Sequence, residues 1–288
     1  MKAKHFFNPE EIIFSATDAC NLHCPHCFVS RTPDKLDISA VKNFLASCKG
    51  TNINKIGFSG GEPFLYMDFL TEITKYAVEN DFMFDQIMTN GIWWKNETDL
   101  SEKLNKVYDA GYDGKIGLSW DSFHNQDKEK IKIFVKTVKK IFGEDSINIQ
   151  FVKNSDQTDW EEKVDQFCTE FNLPVYKLEQ TFQSENPEGW QSKKWFKDDY
   201  CEGPGNIFFV HPNGKIAPCC GFANENEKLI IGNINQSFSE VMQNAENNQF
   251  VKTCFEKGLL KLTKKNRKKL SGKTKDICTA CDFLCKIE

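Results

Sequence analysis

Arginine is nearly absent from these 288 residues; Arg31 and Arg267 are the only two. Lysine therefore carries the basic charge, and 37 Lys+Arg against 41 Asp+Glu leave a formal net charge of −4. That balance gives no case for a nucleic-acid-binding protein. No apolar run approaches the ~20 residues needed to span a bilayer. The start, MKAKHFFNPEEIIF, lacks the apolar centre of a signal peptide. The expected compartment is the cytoplasm, with no nucleic-acid or membrane partner. Hydrophobic residues at 40% and charged residues at 27% exclude wholesale disorder.

Cysteine, by contrast, is plentiful: there are twelve. Reducing thiol pools keep cytosolic cysteines unpaired, so this number points to metal or catalysis. Cys20, Cys24 and Cys27 crowd one stretch near the start. Cys48 and Cys168 stand alone on helical segments and read as buried. Seven more (Cys201, Cys219, Cys220, Cys254, Cys278, Cys281, Cys285) fall in the last 88 residues. The distribution suggests two metal-bearing regions.

Up to residue 182, strand-like and helix-like segments alternate. Strands are expected at 11–17, 54–62, 83–91, 115–123, 147–154 and 175–181. Helices are expected after Asp37 or Ser39 and over 67–79, 99–110, 128–141 and 159–171. Six βα units imply a parallel sheet with helices outside, two strands short of a closed eight-stranded barrel. A partial barrel is the better reading. Beyond Gln183 the texture changes. Residues 184–200 read as a polar linker, 206–220 as a hairpin around Pro212-Asn213-Gly214, 229–234 as a short strand and 237–257 as a helix. The stretch 261–275 is basic and unpatterned.

Cys20-x3-Cys24-x2-Cys27 sits at the C-terminal end of the first strand, where parallel α/β folds place their sites. Three thiolates can hold three irons of a four-iron cluster and leave one iron open. A zinc loop completed by His23 or His26 is the alternative. After the second strand come Gly60-Gly61-Glu62-Pro63: glycines that let backbone approach a ligand, and a carboxylate for an ammonium group.

CNLHCPHC followed by SGGEP resembles the radical S-adenosylmethionine (SAM) superfamily. The resemblance implies a partial (β/α)6 TIM-like barrel over 1–183 and iron ligation by Cys20, Cys24 and Cys27. It places Glu62 on the cofactor ammonium, with Gly60 and Gly61 beside it. It assigns cofactor contacts to Asn90 after the third strand, Ser119 and Asp121 after the fourth, and His26 beside the adenine. The implied chemistry is hydrogen abstraction by a 5′-deoxyadenosyl radical.

Cys201-x17-Cys219, with Gly214 before it, then Cys278-x2-Cys281-x3-Cys285, resembles the SPASM and twitch extensions of that superfamily. The shorter, twitch-like form over 201–288 implies one auxiliary [4Fe-4S] cluster. Cys201, Cys219, Cys278 and Cys281 are its expected ligands, and Cys285 could replace either of the last two. A zinc ribbon is the alternative. Cys220, next to a ligand, resembles the hydrogen-donating cysteine of small radical SAM peptide epimerases, or packs as a small apolar residue. A peptide changed at Cα by epimerisation or cross-linking is the leading substrate, and a small-molecule dehydrogenation is the alternative. A non-catalytic iron–sulfur or zinc module is a third reading. Only about ten residues precede the first strand, so a separate leader-recognition protein is an expected partner. An electron donor such as flavodoxin or ferredoxin is another. Arg31 could pair with a carboxylate. His124 and His211 read as hydrogen-bonded loop residues, Cys254 as core, and Trp93 and Trp94 as mouth-lining or packed.

Overall fold

The computed structural model describes residues 6–154, 157, 159–197, 201 and 205–287. Six parallel strands, β1 (Glu11–Ser15), β2 (Lys55–Ser59), β3 (Met83–Thr89), β4 (Lys115–Ser119), β5 (Ile147–Val152) and β6 (Val175–Leu178), lie side by side in chain order. Between them run α1 (Ile38–Ser47), α2 (Met67–Glu79), α3 (Glu97–Asp109), α4 (Lys128–Phe142) and α5 (Asp159–Phe171). Short polar side chains start three of these helices. Asp37, Asn96 and Asp127 each accept a backbone N–H from the first turn of α1, α3 and α4, which satisfies donors the helix leaves open. Ile12, Phe14, Ile56, Phe58, Ile116, Leu118 and Ile149 are fully buried under the helices, as strands covered on a face by crossover helices require. The partial (β/α)6 barrel is therefore present.

β7 (Gly205–Val210) pairs in parallel with β1, matching Ile12 to Phe208 and Phe14 to Val210. β8 (Lys215–Cys219) then returns antiparallel through a turn in which Gly214 has φ +82°. A two-residue β9 (Gly232–Asn233) completes a nine-stranded sheet of order β6-β5-β4-β3-β2-β1-β7-β8-β9. The hairpin thus extends the barrel sheet at the free edge of β1.

Several segments differ from the sequence reading. β1 stops at Ser15, and Thr17 makes a single bridge to Lys35. Only residues 232–233 of the expected 229–234 strand pair, because a 3-10 turn spans Glu227–Leu229. The helix expected over 237–257 breaks at Asn248, whose side chain accepts from Phe250 and Val251 N–H. That cap divides α6 (Phe238–Asn247) from α7 (Gln249–Lys252), and a π-helical turn follows over Thr253–Lys257. The basic stretch forms α8 (Leu260–Lys265) and a 3-10 turn.

The chain ends in α9 (Ile277–Ile287). Described residues of the expected linker pack on this helix. Ser184 N–H donates to Asp282 Oδ2 at 2.8 Å, and buried Trp190 meets Phe283 edge-on at 5.7 Å. Residues 198–200 of that segment lie outside the described residues.

Candidate active site

The cysteine loop leaves the C-terminal end of β1 as irregular chain held by specific donors. Among the described residues Arg31 pairs with no carboxylate. Its guanidinium donates to the carbonyls of Asp18 (3.1 Å) and Leu22 (2.9 Å), clasping both sides of the loop. Cys27 N–H donates to Cys24 O at 3.1 Å, a tight turn that brings these two residues together. The loop rests on the Gly60-Gly61 turn. Gly61 N–H donates to Thr17 O at 2.7 Å, and Glu62 N–H to Ala19 O at 2.8 Å. A Cβ at Gly61 would stand 2.3 Å from Ala19 O, and one at Gly60 (φ +127°) 2.6 Å from Thr17 O. Only glycine permits this approach.

Glu62 is fully buried. Its Oε1 accepts from Phe64 N–H (3.2 Å) and Thr89 Oγ1 (2.8 Å), and its Oε2 from Asn90 N–H (2.8 Å). Burial pushes its pKa up to about 7 against these donors. The anionic form is therefore short of positive charge, which an arriving ammonium would supply. Asn90 Nδ2 also reaches Cys20 Sγ at 3.7 Å and Asn21 Oδ1 at 2.9 Å. The tip of β3 thus touches both carboxylate and cysteine loop.

A cavity of about 170 Å³ lies above these groups. The three cysteines, His26, Gly60, Gly61, Asn90, Ser119 and His124 all border it. His26 Nδ1 is buried without a hydrogen-bond partner, and burial lowers its pKa, leaving a neutral ring. Asp121 is placed differently from the expected cofactor contact. It is fully buried behind the cavity. Its oxygens accept from Phe123, His124 and Val152 N–H at 3.0, 3.1 and 3.3 Å, and from His124 Nδ1 at 2.8 Å. It reaches the site through His124. Burial would drive that ring neutral, but hydrogen bonds to Asp121 and Cys24 outweigh it and hold the pKa up at about 9.

The C-terminal thiols form one group. Cys278, Cys281 and Cys285 recur at i, i+3 and i+7 along α9, one helix face. Cys278 Sγ lies 3.1 Å, and Cys219 Sγ 4.0 Å, from the position a Cβ on Gly221 would take. Cys201 N–H donates to Cys254 O at 3.2 Å, and Cys254 and Cys285 act on the Cys281 thiol, which is held well above the ordinary thiol range. Burial raises Cys201 to about 12 and Cys219 well above the ordinary thiol range. Thiols so placed become good ligands once a metal's charge replaces the proton. Among the described residues, His26, Asp121 and His124 bring three donor atoms within 4.8 Å of one another.

Cys219 and Cys220 are neighbours at the end of β8, so they face opposite ways. Cys219 is buried towards the other thiols, whereas Cys220 is exposed and borders a second cavity of about 460 Å³. Ser59 and Met88 line both cavities. Protein atoms crowded around its sulfur still desolvate the Cys220 thiol and raise it to about 11. Across this mouth Phe28 stacks on Phe222 (4.6 Å), and Ser30 Oγ donates to Glu225 at 2.7 Å. Trp93 and Trp94 pack instead of lining the mouth. Trp93 stacks on Phe64 at 4.3 Å, and Trp94 donates to Gly91 O. His211 is a buried, hydrogen-bonded loop residue, as expected. Cys254 was read as core; it is buried, but among the thiols. The helical spacing of the last three cysteines was visible in the sequence, whereas the Asp121–Val152 contact had no local signal.

A parallel six-stranded half-barrel with three cysteines and a GGE turn at one mouth, extended by a thiol-rich hairpin, defines a two-centre iron–sulfur protein. Residues 14–154 match the radical SAM superfamily, and residues 201–282 the iron–sulfur cluster-binding domain called SPASM. The chain thus carries a radical SAM domain and a SPASM domain. Such a barrel binds a [4Fe-4S] cluster and SAM, and such an extension binds auxiliary iron–sulfur clusters.

The chain is 33% identical over 121 residues to the GTP 3′,8-cyclase of Chlorobaculum tepidum, covering 40% of this chain and 33% of that protein. It spans a third to a half of the GTP 3′,8-cyclases it matches. It is 22% identical over 286 residues to the putative peptide biosynthesis protein YydG of Bacillus subtilis, covering 92% of this chain and 88% of YydG. In fold it is similar to anSMEcpe with bound AdoMet and Cp18Cys peptide (TM-score 0.63, 18% identity, 89% and 86% of the two chains). It is also similar to Streptococcus suis SuiB bound to precursor peptide SuiA (TM-score 0.53, 15% identity, 96% and 76%). Among the described residues no helix is long and apolar enough to cross a membrane. The glycine cradle, the carboxylate short of positive charge and the three cysteines around one cavity fit SAM and its cluster.

Proposed function

We propose that this enzyme inverts Cα centres in a ribosomally made peptide, with Cys220 as the hydrogen donor. The observation that carries the reading is the split between adjacent cysteines. Cys219 turns into the thiol group, and Cys220 faces the 460 Å³ cavity that meets the cofactor cavity at Ser59 and Met88. Cys20, Cys24 and Cys27 would hold the first cluster, with Glu62, Gly60, Gly61, Asn90, Ser119 and His26 around the cofactor. Cys201, Cys219 and Cys278, with Cys281 or Cys285, would hold one auxiliary cluster. The peptide-bound solved relatives and the near full-length match to YydG support a peptide substrate.

When bound and reduced, SAM supplies a 5′-deoxyadenosyl radical that removes Cα–H from one face. Cys220 gives its S–H hydrogen to the other face and is left as a thiyl radical. One electron from an external donor and one solvent proton would restore the thiol. At a pKa of about 11 the group keeps its hydrogen through neutral pH. Turnover in deuterated water with a synthetic peptide substrate tests this. Wild-type protein should place one deuterium on each inverted carbon. Cys220→Ala should form 5′-deoxyadenosine without D-residues. Full epimerisation by Cys220→Ala, or product lacking deuterium, overturns the proposal.

A further inference from the structure

We propose that the basic segment from Lys261 to Lys275 is the docking face for an acidic one-electron carrier protein. The inference rests on the iron–sulfur assignment and is independent of the peptide reading.

Eight of these fifteen residues are Lys or Arg, and none is Asp or Glu. Set aside, they leave the rest of the chain at a formal −12 in place of −4. Runs of like charge usually stay unfolded, because their members repel one another. This run is folded. It forms α8 and the 3-10 turn Arg267–Lys269. Thr263 and Thr274 are buried, and Leu262 and Leu270 pack against the core. Lys273 N–H donates to Trp190 O at 2.9 Å, Ser192 N–H to Lys273 O at 3.0 Å and Phe196 N–H to Thr274 O at 2.9 Å, which fastens its far end. The apolar and hydroxyl side chains are spent on this anchoring, and all eight cations are exposed. Lys275 pairs with Glu179 at 3.3 Å; among the described residues no other of the eight meets a carboxylate. Lys193, Lys194 and Lys197 extend the field, joining Lys275 around a cleft of about 440 Å³.

Position points to the partner. α8 packs on α9, and Lys275 stands two residues before that helix. The positive face is thus mounted on the element that carries Cys278, Cys281 and Cys285. An electron carrier must come close to the centre it serves. Complementary charge would steer an acidic carrier to this face, while the negative remainder of the chain repels it elsewhere. On docking the carrier loses one electron and this protein gains it; no bond forms or breaks.

The test is the association rate of an acidic flavodoxin with the reconstituted full-length protein. It is read anaerobically by surface plasmon resonance between about 0.01 and 0.15 M ionic strength. Wild-type protein should associate fast at low salt and slow steeply as salt rises. The triple variant Lys264→Glu, Lys265→Glu, Lys268→Glu should associate at least about tenfold more slowly at low salt, with a flatter salt dependence. Lys128→Glu, Lys136→Glu, Lys140→Glu on α4 changes the net charge equally and should stay near wild type. Wild-type association in the first variant, or an equal fall in the second, overturns the proposal. So does a wild-type protein that binds neither the flavodoxin nor an acidic ferredoxin, or that binds polyuridine RNA more tightly through the same lysines.

Discussion

Replacing Gly61 by alanine tests how closely the second strand's turn must approach the cysteine loop. The added Cβ would meet Ala19 O at 2.3 Å and Asp18 O at 2.6 Å, where ordinary contact begins near 3.4 Å. Both obstacles are backbone, so no rotamer change relieves them. The two segments must part by about 1 Å. They are joined here by Gly61 N–H to Thr17 O and Glu62 N–H to Ala19 O. Stretching two such bonds costs about 1–3 kcal/mol, which the remaining fold can absorb. Catalysis is more sensitive, because a displacement near 1 Å can cost about a hundredfold in rate. Gly61→Ala should therefore fold and melt slightly lower, yet cleave SAM to 5′-deoxyadenosine about a hundredfold more slowly. Liquid chromatography of 5′-deoxyadenosine and a melting curve read the two effects. Wild-type cleavage by a folded Gly61→Ala protein would falsify the close-approach argument.

Anaerobically reconstituted protein should hold about eight irons, four for each of two four-iron clusters; stoichiometric zinc without sulfide contradicts both assignments. Cys24→Ala should abolish SAM cleavage, while Cys219→Ala should keep the SAM-responsive EPR signal of the first cluster and impair turnover; the opposite pattern reverses the two sites. Glu62 titrates near 4.5 when unfolded and about 7 when folded. The folded state thus holds a proton that the unfolded state releases, so this group's stabilisation, about 3 kcal/mol, is present below pH 4.5 and lost as pH rises to 7. Calorimetry of the cofactor-free protein should show melting temperature falling across that window, and Glu62→Gln should flatten the fall. An equally steep fall in Glu62→Gln removes Glu62 as its source.

The barrel was legible because its signals are local. Strand-to-helix alternation, Asp37 before an apolar-periodic segment, and the Pro212-Asn213-Gly214 turn each act within a few residues. The cysteine and GGE motifs were legible for the same reason. The C-terminal half was less so. Apolar residues 229–231 read as a strand, but the Asn226 side chain accepts from Lys228 N–H and starts a 3-10 turn. Asn248 splits a helix that hydrophobic pattern alone would continue. The role of Asp121 was out of reach because its partners include Val152, brought beside it only by the pairing of β4 and β5. Cys254 joins the thiols through a π-helical turn, which apolar spacing does not announce.

The pairing of β7 with β1 gives the two cysteine sets a fixed relation. β1 ends in the loop that carries Cys20, Cys24 and Cys27. β7 lies beside it in parallel register, and β8 returns to Cys219 and Cys220. The cysteine loop and the Cys219-Cys220 pair thus both spring from a single sheet, whose ladders change spacing little. Strand alternation then divides the adjacent thiols between two tasks, sending Cys219 inward and Cys220 to the cavity. A one-residue slip of β8 would exchange them. Ile216 and Ala217, buried and paired with Val210 and Phe209, pin the register against that slip. The apolar core of the hairpin therefore decides which thiol faces the other thiols and which faces the cavity.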